Sequence, residues 1–256
     1  MPVPEAPGRD EAGGTRVAVA LIAPAYNERG KIARVVEKVL AVAPGLPCRL
    51  EMVVVDDGSS DGTAAEAAAA GATVVRHEQN RGVGAAIRSG IDWARNRGFA
   101  VAAIISGDDQ HEPRELGRLL DPLLAGQADF VQGSRWIRGG RVENIPWHRA
   151  VLTKLYSWIV RILAGSRCTD GTNGFRAFRL SIFDDPRINL WQPWLDRYEL
   201  EPYLLFQAIR TRVRLVEVPC TVRYHPRAVG FTKMRPGRDW WRLFRPLVLL
   251  KLGLRK

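Results

Sequence analysis

Two acidic motifs follow short apolar runs of the sequence. The first is Asp56-Asp57-Gly-Ser-Ser-Asp-Gly-Thr63, which comes directly after the run Met52–Val55. Adjacent carboxylates at the end of a strand are unfavourable unless they bind hydrogen-bond donors, and the hydroxyl and amide groups of a nucleoside are suitable donors. Turn chemistry alone is the alternative, in which Ser59, Ser60 or Asp61 caps the following helix. The first motif therefore predicts either a nucleoside site or a helix cap.

The second motif is Ile104-Ile-Ser-Gly-Asp-Asp-Gln-His-Glu-Pro113. Asp108 and Gln110 carry oxygen atoms that suit a hard divalent cation, Mg²⁺ or Mn²⁺, whose shell phosphate oxygens and water would complete. Such a cation would offset the charge on a diphosphate leaving group. His111 is a further candidate ligand, but its place at a helix start favours a structural role. Asp109 is interpreted as a solvent-exposed turn acid.

The elements that position these motifs alternate between apolar runs and helical segments. Strands are predicted at 17–23, 52–55, 73–75, 100–105 and 130–131, and helices near 29–42, 61–70, 83–97 and 113–125. Continuous apolarity is typical of strands buried on both faces of a parallel sheet. The series therefore predicts an α/β fold, doubly wound, whose ligands bind beyond the carboxyl ends of the strands. Four loops fall there, at 24–28, 56–63, 77–84 and 106–113.

The chain divides into a tail and two unequal halves of one domain. We expect a loose tail at 1–14, a first half at 15–135 and an Arg- and Trp-rich second half at 136–256. The second half is predicted to hold helices near 147–164 and 199–210, a strand at 213–218 and a last helix from about 238. That last helix mixes aromatic, leucine and basic residues, which fits either a membrane interface or docking on the protein's own core. Pro246 interrupts the pattern and weakens both interpretations.

Composition limits the classes of partner. The 256 residues include 38 Lys and Arg against 27 Asp and Glu, a net charge of +11 that favours anionic partners. No nucleic-acid motif accompanies the charge, so we expect no nucleic-acid partner. No apolar run approaches the ~18–20 residues of a membrane-spanning helix, and no secretory signal is evident. Three separated cysteines fit reduced thiols in a cytoplasmic protein.

Taken in order, the motifs resemble those of family 2 inverting nucleotide-sugar glycosyltransferases. They are Pro24-Ala-Tyr-Asn-Glu28, Val55–Thr63, Asn80-Arg-Gly82, Asp108-Asp-Gln-His111, Gly133-Ser-Arg135 and Gly174-Phe-Arg176. Three later motifs, Glu217-Val-Pro219, Gly230-Phe-Thr-Lys-Met234 and Arg238-Asp-Trp240, narrow the resemblance to the dolichyl- or polyprenyl-phosphate mannose or glucose synthase branch. The resemblance runs from about residue 17 to 250 and implies a GT-A fold. It also implies that 15–135 is a nucleotide-sugar-binding half and that 136–256 is an acceptor-binding half with a C-terminal amphipathic helix.

The resemblance also implies a role for each matching residue. Pro24, Tyr26, Asn27, Glu28, Asp56, Asp57 and Gly82 would hold the nucleotide. Asp108 and Gln110 would contact the metal and the diphosphate, and Arg227 and Lys233 would close over the donor phosphates. Arg135, Arg149 and Thr153 would bind the acceptor phosphate. Asp108 and Arg135 are the expected catalytic residues.

Two departures from the family pattern matter. Ser106 stands where the family has the first aspartate of Asp-x-Asp, so metal affinity is expected to be weaker than usual. No membrane helices follow the glycosyltransferase segment, so we expect a cytoplasmic enzyme that meets its lipid acceptor peripherally at the membrane surface.

The expected reaction is transfer of a hexose from a nucleoside diphosphate sugar to a polyprenyl phosphate, with inversion. A phosphate acceptor is already an anion and requires no strong general base. Two alternatives remain open. One is transfer to a soluble small molecule or glycan, for which Asp196, Glu199 or Glu201 would be the candidate base. The other is a nucleotide-sugar-binding protein with little or no turnover, which Ser106 suggests.

Overall fold

The computed structural model describes residues 16–225 and 237–255. Its strands are β1 Ala18–Ala25, β2 Arg49–Asp56, β3 Thr73–Arg76, β4 Val101–Ile104, β5 Phe130–Ser134, β6 Arg141–Glu143, β7 Arg176–Arg179, β8 Leu215–Pro219 and β9 Thr221–Arg223. Its helices are α1 Ile32–Val42, α2 Thr63–Ala69, α3 Val83–Asn96, α4 Leu116–Leu124, α5 Trp147–Ala164, α6 Leu200–Arg210 and α7 Arg238–Lys251. The predicted tail at 1–14 lies outside the described residues.

A seven-stranded sheet organises the fold, in the order β3-β2-β1-β4-β7-β5-β8. Its strands are parallel except β7, which is antiparallel to both β4 and β5. Strands β6 and β9 form a separate parallel pair. The prediction of an α/β fold with a mostly parallel sheet is confirmed. Because β7 and β8 come from the second half of the chain, both halves contribute to one sheet.

The apolar runs of the sequence are continuous because helices cover both faces of the sheet. In β1, Ala20 and Ile22 enter one core, whereas Val19, Leu21 and Ala23 enter the core on the opposite face. All five side chains are fully buried. Successive residues of a strand point to opposite faces, so a strand between two cores must be apolar at every position.

Three strands were not predicted, namely β6, β7 and β9. Each has only three or four residues, and each carries charged side chains at one or both ends. In β7, Arg176 and Arg179 flank Ala177 and Phe178, so no continuous apolar run marks the strand. Arg176 is nonetheless almost fully buried, because its guanidinium donates to the backbone oxygens of Asn173 and Glu201.

The last helix, α7, packs against α5 and α6. The hydroxyl of Tyr156 on α5 donates to the carbonyl of Leu243 at 3.0 Å, and the guanidinium of Arg210 on α6 donates to the carbonyl of Leu250 at 2.9 Å. Leu247 and Leu250 are buried in the core. The face of α7 that carries Leu247 and Leu250 therefore packs on the protein's own core. Among the described residues, no helix has the length and apolarity needed to cross a membrane.

Glycines at the start of α3 let the helix approach the segment before α6. A Cβ at Gly84 would overlap the backbone oxygens of Leu195 and Arg197. We expect Gly84→Ala to lower the free energy of unfolding by about 1–3 kcal/mol, because backbone rather than a flexible side chain must move. Gly117→Ala in α4 is the matched control, since the nearest atom to its Cβ would be Leu46 at 3.8 Å. Urea denaturation of both variants would test this difference, and equal stability would contradict it.

Candidate active site

A cavity of about 660 Å³ lies at the carboxyl ends of the parallel strands. All four predicted loops contribute to one wall, through Pro24, Tyr26, Glu28, Asp57, Asn80, Gly82, Ser106, Asp108 and Gln110. The rest of the lining, called here the facing wall, comes mainly from the second half of the chain and includes Arg135, Arg149, Thr153, Glu201, Tyr224 and Arg242. Arg197 also lines the cavity, close to Gly82. Asp57, Asp108 and Arg135 therefore line the same cavity.

The carboxylate of Asp57 connects two of the strand-end loops. The backbone N–H groups of Arg81 and Gly82 donate to it at 2.9 and 2.7 Å, and Nδ1 of His77 lies 2.7 Å from Oδ1. The other ring nitrogen of His77 is 2.9 Å from the Ser89 hydroxyl. These contacts tie the loop after β2 to the loop before α3, so Asp57 both lines the cavity and fixes its shape.

Asp56 is placed differently from the sequence expectation. It is fully buried and does not line the cavity. One oxygen accepts the N–H of Ser59 at 3.2 Å, and the other lies 3.4 Å from Nε of Arg76. As the last residue of β2, Asp56 helps to hold the turn, while its Oδ2 has no hydrogen-bond partner among the described residues. Nucleotide binding by Asp56 stays a prediction.

Asn27 also lies outside the cavity lining, although Pro24, Tyr26 and Glu28 belong to it. Its backbone adopts a left-handed conformation with φ of 50°. The Asn27 side-chain oxygen accepts the N–H of Ser60, and its own N–H donates to the Ser59 hydroxyl. The serines considered as helix caps thus connect two strand-end loops instead.

Asp108 receives hydrogen bonds from neutral groups in its own loop. The Ser106 hydroxyl donates to one carboxylate oxygen, and the Gln110 side-chain amide donates to the other at 2.6 Å. Burial raises the pKa of Asp108, and the nearby charge of Glu28 raises it further, while the Ser106 hydrogen bond opposes both effects. Lys31, whose ammonium lies 3.3 Å from Glu28, shares this wall of the cavity.

The oxygen atoms near Asp108 suit a metal ion whose remaining ligands come from a bound substrate and from water. No cluster of three or more His, Cys, Asp or Glu side chains within 16–225 and 237–255 could hold a metal by itself. One carboxylate from Asp108, with the oxygens of Ser106 and Gln110, matches Mg²⁺ or Mn²⁺ sites that depend on phosphate oxygens and water. The residues present therefore fit a cation that binds together with a diphosphate.

Asp109 and His111 fill structural positions beside this site. The prediction of an exposed Asp109 is wrong, because the residue is buried and forms ion pairs with Lys38 at 2.7 Å and Arg34 at 3.6 Å. In His111, Nδ1 accepts the Ser106 N–H and Nε2 donates to the Asn173 side-chain oxygen. Burial lowers the pKa of His111 to about 3, with a further contribution from the nearby Arg135 charge. The neutral ring fits the structural role expected for it.

Arg135 is held in a buried network at the end of β5. Its guanidinium pairs with Asp170 through contacts of 2.6 and 3.0 Å and donates to the hydroxyls of Thr172 and Tyr224. Burial disfavours the charge, but the Asp170 carboxylate outweighs it and raises the pKa of Arg135. The guanidinium of Arg149 lies over the Tyr224 ring, 5.1 Å from its centroid. Arg135 thus supports Tyr224, which in turn supports Arg149.

Sequence analysis missed several residues of the facing wall. Asp170 and Tyr224 are buried partners of Arg135, and Arg197 and Arg242 contribute basic side chains to the cavity. Asp170 lies just before the Gly174-Phe-Arg176 motif, which is the signal that could have directed attention to it. Arg227 and Lys233 lie outside the described residues.

Comparison with known proteins identifies the family. A profile described as glycosyl transferase family 2 matches residues 20–185. The polyprenol monophosphomannose synthase of Mycolicibacterium smegmatis is 38% identical over 220 residues, which cover 84% of this chain and 80% of that relative. The undecaprenyl-phosphate mannosyltransferase of Micrococcus luteus is 32% identical over 224 residues, covering 86% of this chain and 88% of the relative. The chain belongs to glycosyl transferase family 2.

Solved structures of similar shape confirm the GT-A fold. The crystal structure of glucosyl-3-phosphoglycerate synthase from M. tuberculosis has a TM-score of 0.70 and 20% identity, with 96% of this chain and 83% of that chain covered. A structure of the same enzyme in complex with Mn²⁺, uridine diphosphate and phosphoglyceric acid has a TM-score of 0.69. This glycosyltransferase therefore has the α/β architecture expected from its motifs.

The raised pKa of Asp108 predicts that its ionised carboxylate lowers the stability of this glycosyltransferase. In metal-free buffer at neutral pH we expect Asp108→Asn to raise Tm, because the variant removes a buried negative charge that burial and Glu28 disfavour. The gain should shrink as the pH falls and disappear below about 3, where the wild-type carboxyl is protonated in both the folded and the unfolded state. Thermal melts across this pH range would measure it.

Asp61→Asn is a control for which we expect the opposite change in Tm. Although burial opposes the effect, hydrogen bonds from Thr63 and the Arg29 N–H lower the pKa of Asp61, so its ionised form stabilises the fold. This variant should melt below wild type at neutral pH and approach it under acid conditions. A lower Tm for Asp108→Asn at every pH would contradict the interpretation of the site.

Proposed function

We propose that this glycosyltransferase moves a hexose from a nucleoside diphosphate sugar to a polyprenyl phosphate, with inversion, at the cytoplasmic face of a membrane. The observation that carries the proposal is a single cavity that brings acidic strand-end loops and basic side chains of the second half together. Asp57 and Asp108 lie on one wall, and Arg149 and Thr153 lie on the facing wall. The polyprenyl-phosphate mannosyltransferases to which the chain is similar support this acceptor class.

The donor would bind on the wall that holds Asp57 and Asp108. Pro24, Tyr26 and Glu28 would contact the nucleoside, within a loop framework that Asp57 and Gly82 hold in place. Asp108 and Gln110 would hold Mg²⁺ or Mn²⁺, which when bound offsets the negative charge of the diphosphate. Ser106 keeps the Asp108 carboxylate oriented toward this position through its hydroxyl.

The acceptor phosphate would bind on the facing wall. Arg149 offers a guanidinium there, and Thr153 offers a hydroxyl one helical turn away. Because the Arg135 guanidinium is held by Asp170, Thr172 and Tyr224, we assign it chiefly to positioning Tyr224 and Arg149. Two anions that approach within a few ångströms repel each other strongly unless cations lie between them. The basic side chains of this wall supply that compensation.

The chemical step needs little proton transfer. An oxygen of the acceptor phosphate forms a bond to the anomeric carbon, and the bond from that carbon to the donor diphosphate breaks. The nucleoside diphosphate leaves with the bonding electrons. Attack from the facing wall, opposite the leaving group, inverts the configuration at the anomeric carbon. Since the attacking oxygen is already negatively charged, positioning and charge compensation provide most of the rate enhancement.

Loss of the Asp108 carboxylate should abolish transfer. Purified Asp108→Ala protein would be incubated with labelled GDP- and UDP-hexoses, polyprenyl phosphate and Mg²⁺ or Mn²⁺. We expect at least a hundredfold drop in the acid-labile glycolipid that wild type forms, because Asp108 provides the carboxylate nearest the diphosphate position. Asp121→Ala, which removes an exposed acid on α4, is the matched control. Retained transfer in Asp108→Ala would contradict the assignment.

The transfer assay, together with calorimetry of donor binding, separates the alternative functions. Wild-type transfer to a soluble hydroxyl compound, with no transfer to any polyprenyl phosphate, would favour a soluble acceptor. Donor binding in calorimetry without transfer or hydrolysis, unchanged by Ser106→Asp, would favour a binding protein.

Arg149 should act on the acceptor rather than on the donor. With a short-chain, water-soluble prenyl phosphate, we expect Arg149→Ala to raise the acceptor KM about tenfold to a hundredfold, the effect of losing one charge-assisted hydrogen bond. The donor KM should change little. Arg161→Ala removes an exposed arginine from the same helix and should leave both values unchanged. An equal rise in both KM values for Arg149→Ala would contradict an acceptor-specific role.

A further inference from the structure

Helix α5 exposes a row of large apolar side chains. Between 46% and 79% of the surface of each is accessible, and the residues are Trp147, Val151, Leu155, Trp158 and Ile162. Scattered apolar residues are common on protein surfaces, but contiguous apolar surface marks an interaction site.

These five residues form one continuous stripe. Their spacings of four, four, three and four residues place them within an arc of about 80° around the helix axis. The opposite side of the helix carries Arg149 and Thr153, which line the cavity, and Tyr156 and Val160, which are buried. One helix thus presents the proposed acceptor-phosphate site on its inner side and an uncovered apolar surface on its outer side.

The charges of α5 are all of one sign. The helix contains Arg149, Lys154 and Arg161 and no Asp or Glu. Lys154 and Arg161 lie along one border of the apolar stripe, and the Lys154 ammonium is 4.6 Å from the centroid of the Trp136 ring. Long basic side chains beside exposed Trp, Leu and Ile match the headgroup and acyl layers of an anionic bilayer surface.

We propose that the outer face of α5, formed by Trp147, Val151, Leu155, Trp158 and Ile162, inserts into the surface of an anionic lipid bilayer. This inference rests on the proposed function and deepens it, because it names the surface through which the enzyme meets its lipid acceptor. The helix lies along the membrane plane with Arg149 and Thr153 turned toward the cavity. An isoprenoid chain then leaves the cavity directly into the acyl layer while its phosphate stays on the inner side of α5.

The proposed contact lies on a different helix from α7, for which the sequence left membrane contact and core docking open. The inner face of α7 packs on the core, and its exposed residues Trp241, Val248 and Leu252 share their side of the helix with Arg245. The stripe on α5 is longer and contains no charged residue. Because α5 packs against α7 through Tyr156 and Phe244, α7 adds a second, smaller apolar surface nearby.

Vesicle flotation of the full chain tests the proposal. Wild type should float with vesicles of phosphatidylcholine and phosphatidylglycerol and bind more weakly to phosphatidylcholine alone. We expect Leu155→Gln/Trp158→Gln/Ile162→Gln to lower partitioning at least about tenfold, because three side chains lose their apolar insertion. The matched control is Val17→Gln/Leu40→Gln/Val216→Gln, which replaces three apolar residues of 37–40% exposure elsewhere on the surface. Circular dichroism would verify that both variants are folded.

Enzyme assays separate this proposal from the proposed function. The α5 variant should keep wild-type transfer to a water-soluble short-chain prenyl phosphate and lose transfer to long-chain polyprenyl phosphate embedded in vesicles. If wild type binds vesicles through α5 but transfers to neither acceptor, the proposed function fails and the membrane face stands. Unchanged vesicle partitioning of the α5 variant would overturn the membrane face. The membrane face would also be overturned if wild type sedimented as a dimer and the same substitutions converted it to a monomer without changing vesicle binding.

Discussion

The wall of the cavity that carries Arg135 and Arg149 depends on the buried pair between Arg135 and Asp170. Both side chains are nearly inaccessible to water, so each charge would be strongly unfavourable without the other. The pair joins the end of β5 to the loop that precedes β7, and the remaining donors of Arg135 bring in Thr172 and Tyr224. Arg149 then stacks on Tyr224. The position of a basic side chain on the cavity wall thus follows from an ion pair behind it.

The wall that holds Asp57 and Asp108 is also shaped by polar contacts of buried groups. Asp57 accepts hydrogen bonds from the backbone N–H groups of Arg81 and Gly82 and contacts His77, and these contacts fix the loops around it. Among the described residues, Asp108 accepts hydrogen bonds from neutral groups of its own loop, and burial raises its pKa. Of these two aspartates, Asp57 is satisfied by contacts within the fold, whereas a bound cation would stabilise the ionised form of Asp108.

The sequence was most informative where one physical rule dominates. Strands buried on both faces must be continuously apolar, so β1, β2 and β4 could be predicted, together with the loops at their ends. Short strands such as β7 escape this rule because Arg176 is buried through hydrogen bonds to backbone oxygens that the sequence does not reveal. Motif matching likewise cannot separate Asp56 from Asp57, since adjacent residues of a strand end point in opposite directions. Asp109 is buried for a related reason, because its cations come from α1, about seventy residues earlier.

The reversed direction of β7 has a consequence for how the two substrates are accommodated. Parallel strands bring only their carboxyl ends to the cavity, whereas an antiparallel strand brings its amino end to the same edge. Residues 172–174 line the cavity in this way, although they lie far along the chain from the loops of β1, β2 and β4. Under the proposed function, donor and acceptor recognition would therefore be encoded by separate stretches of sequence. Substitutions in the later stretch would then change the choice of acceptor while the earlier stretch continued to bind the same nucleotide.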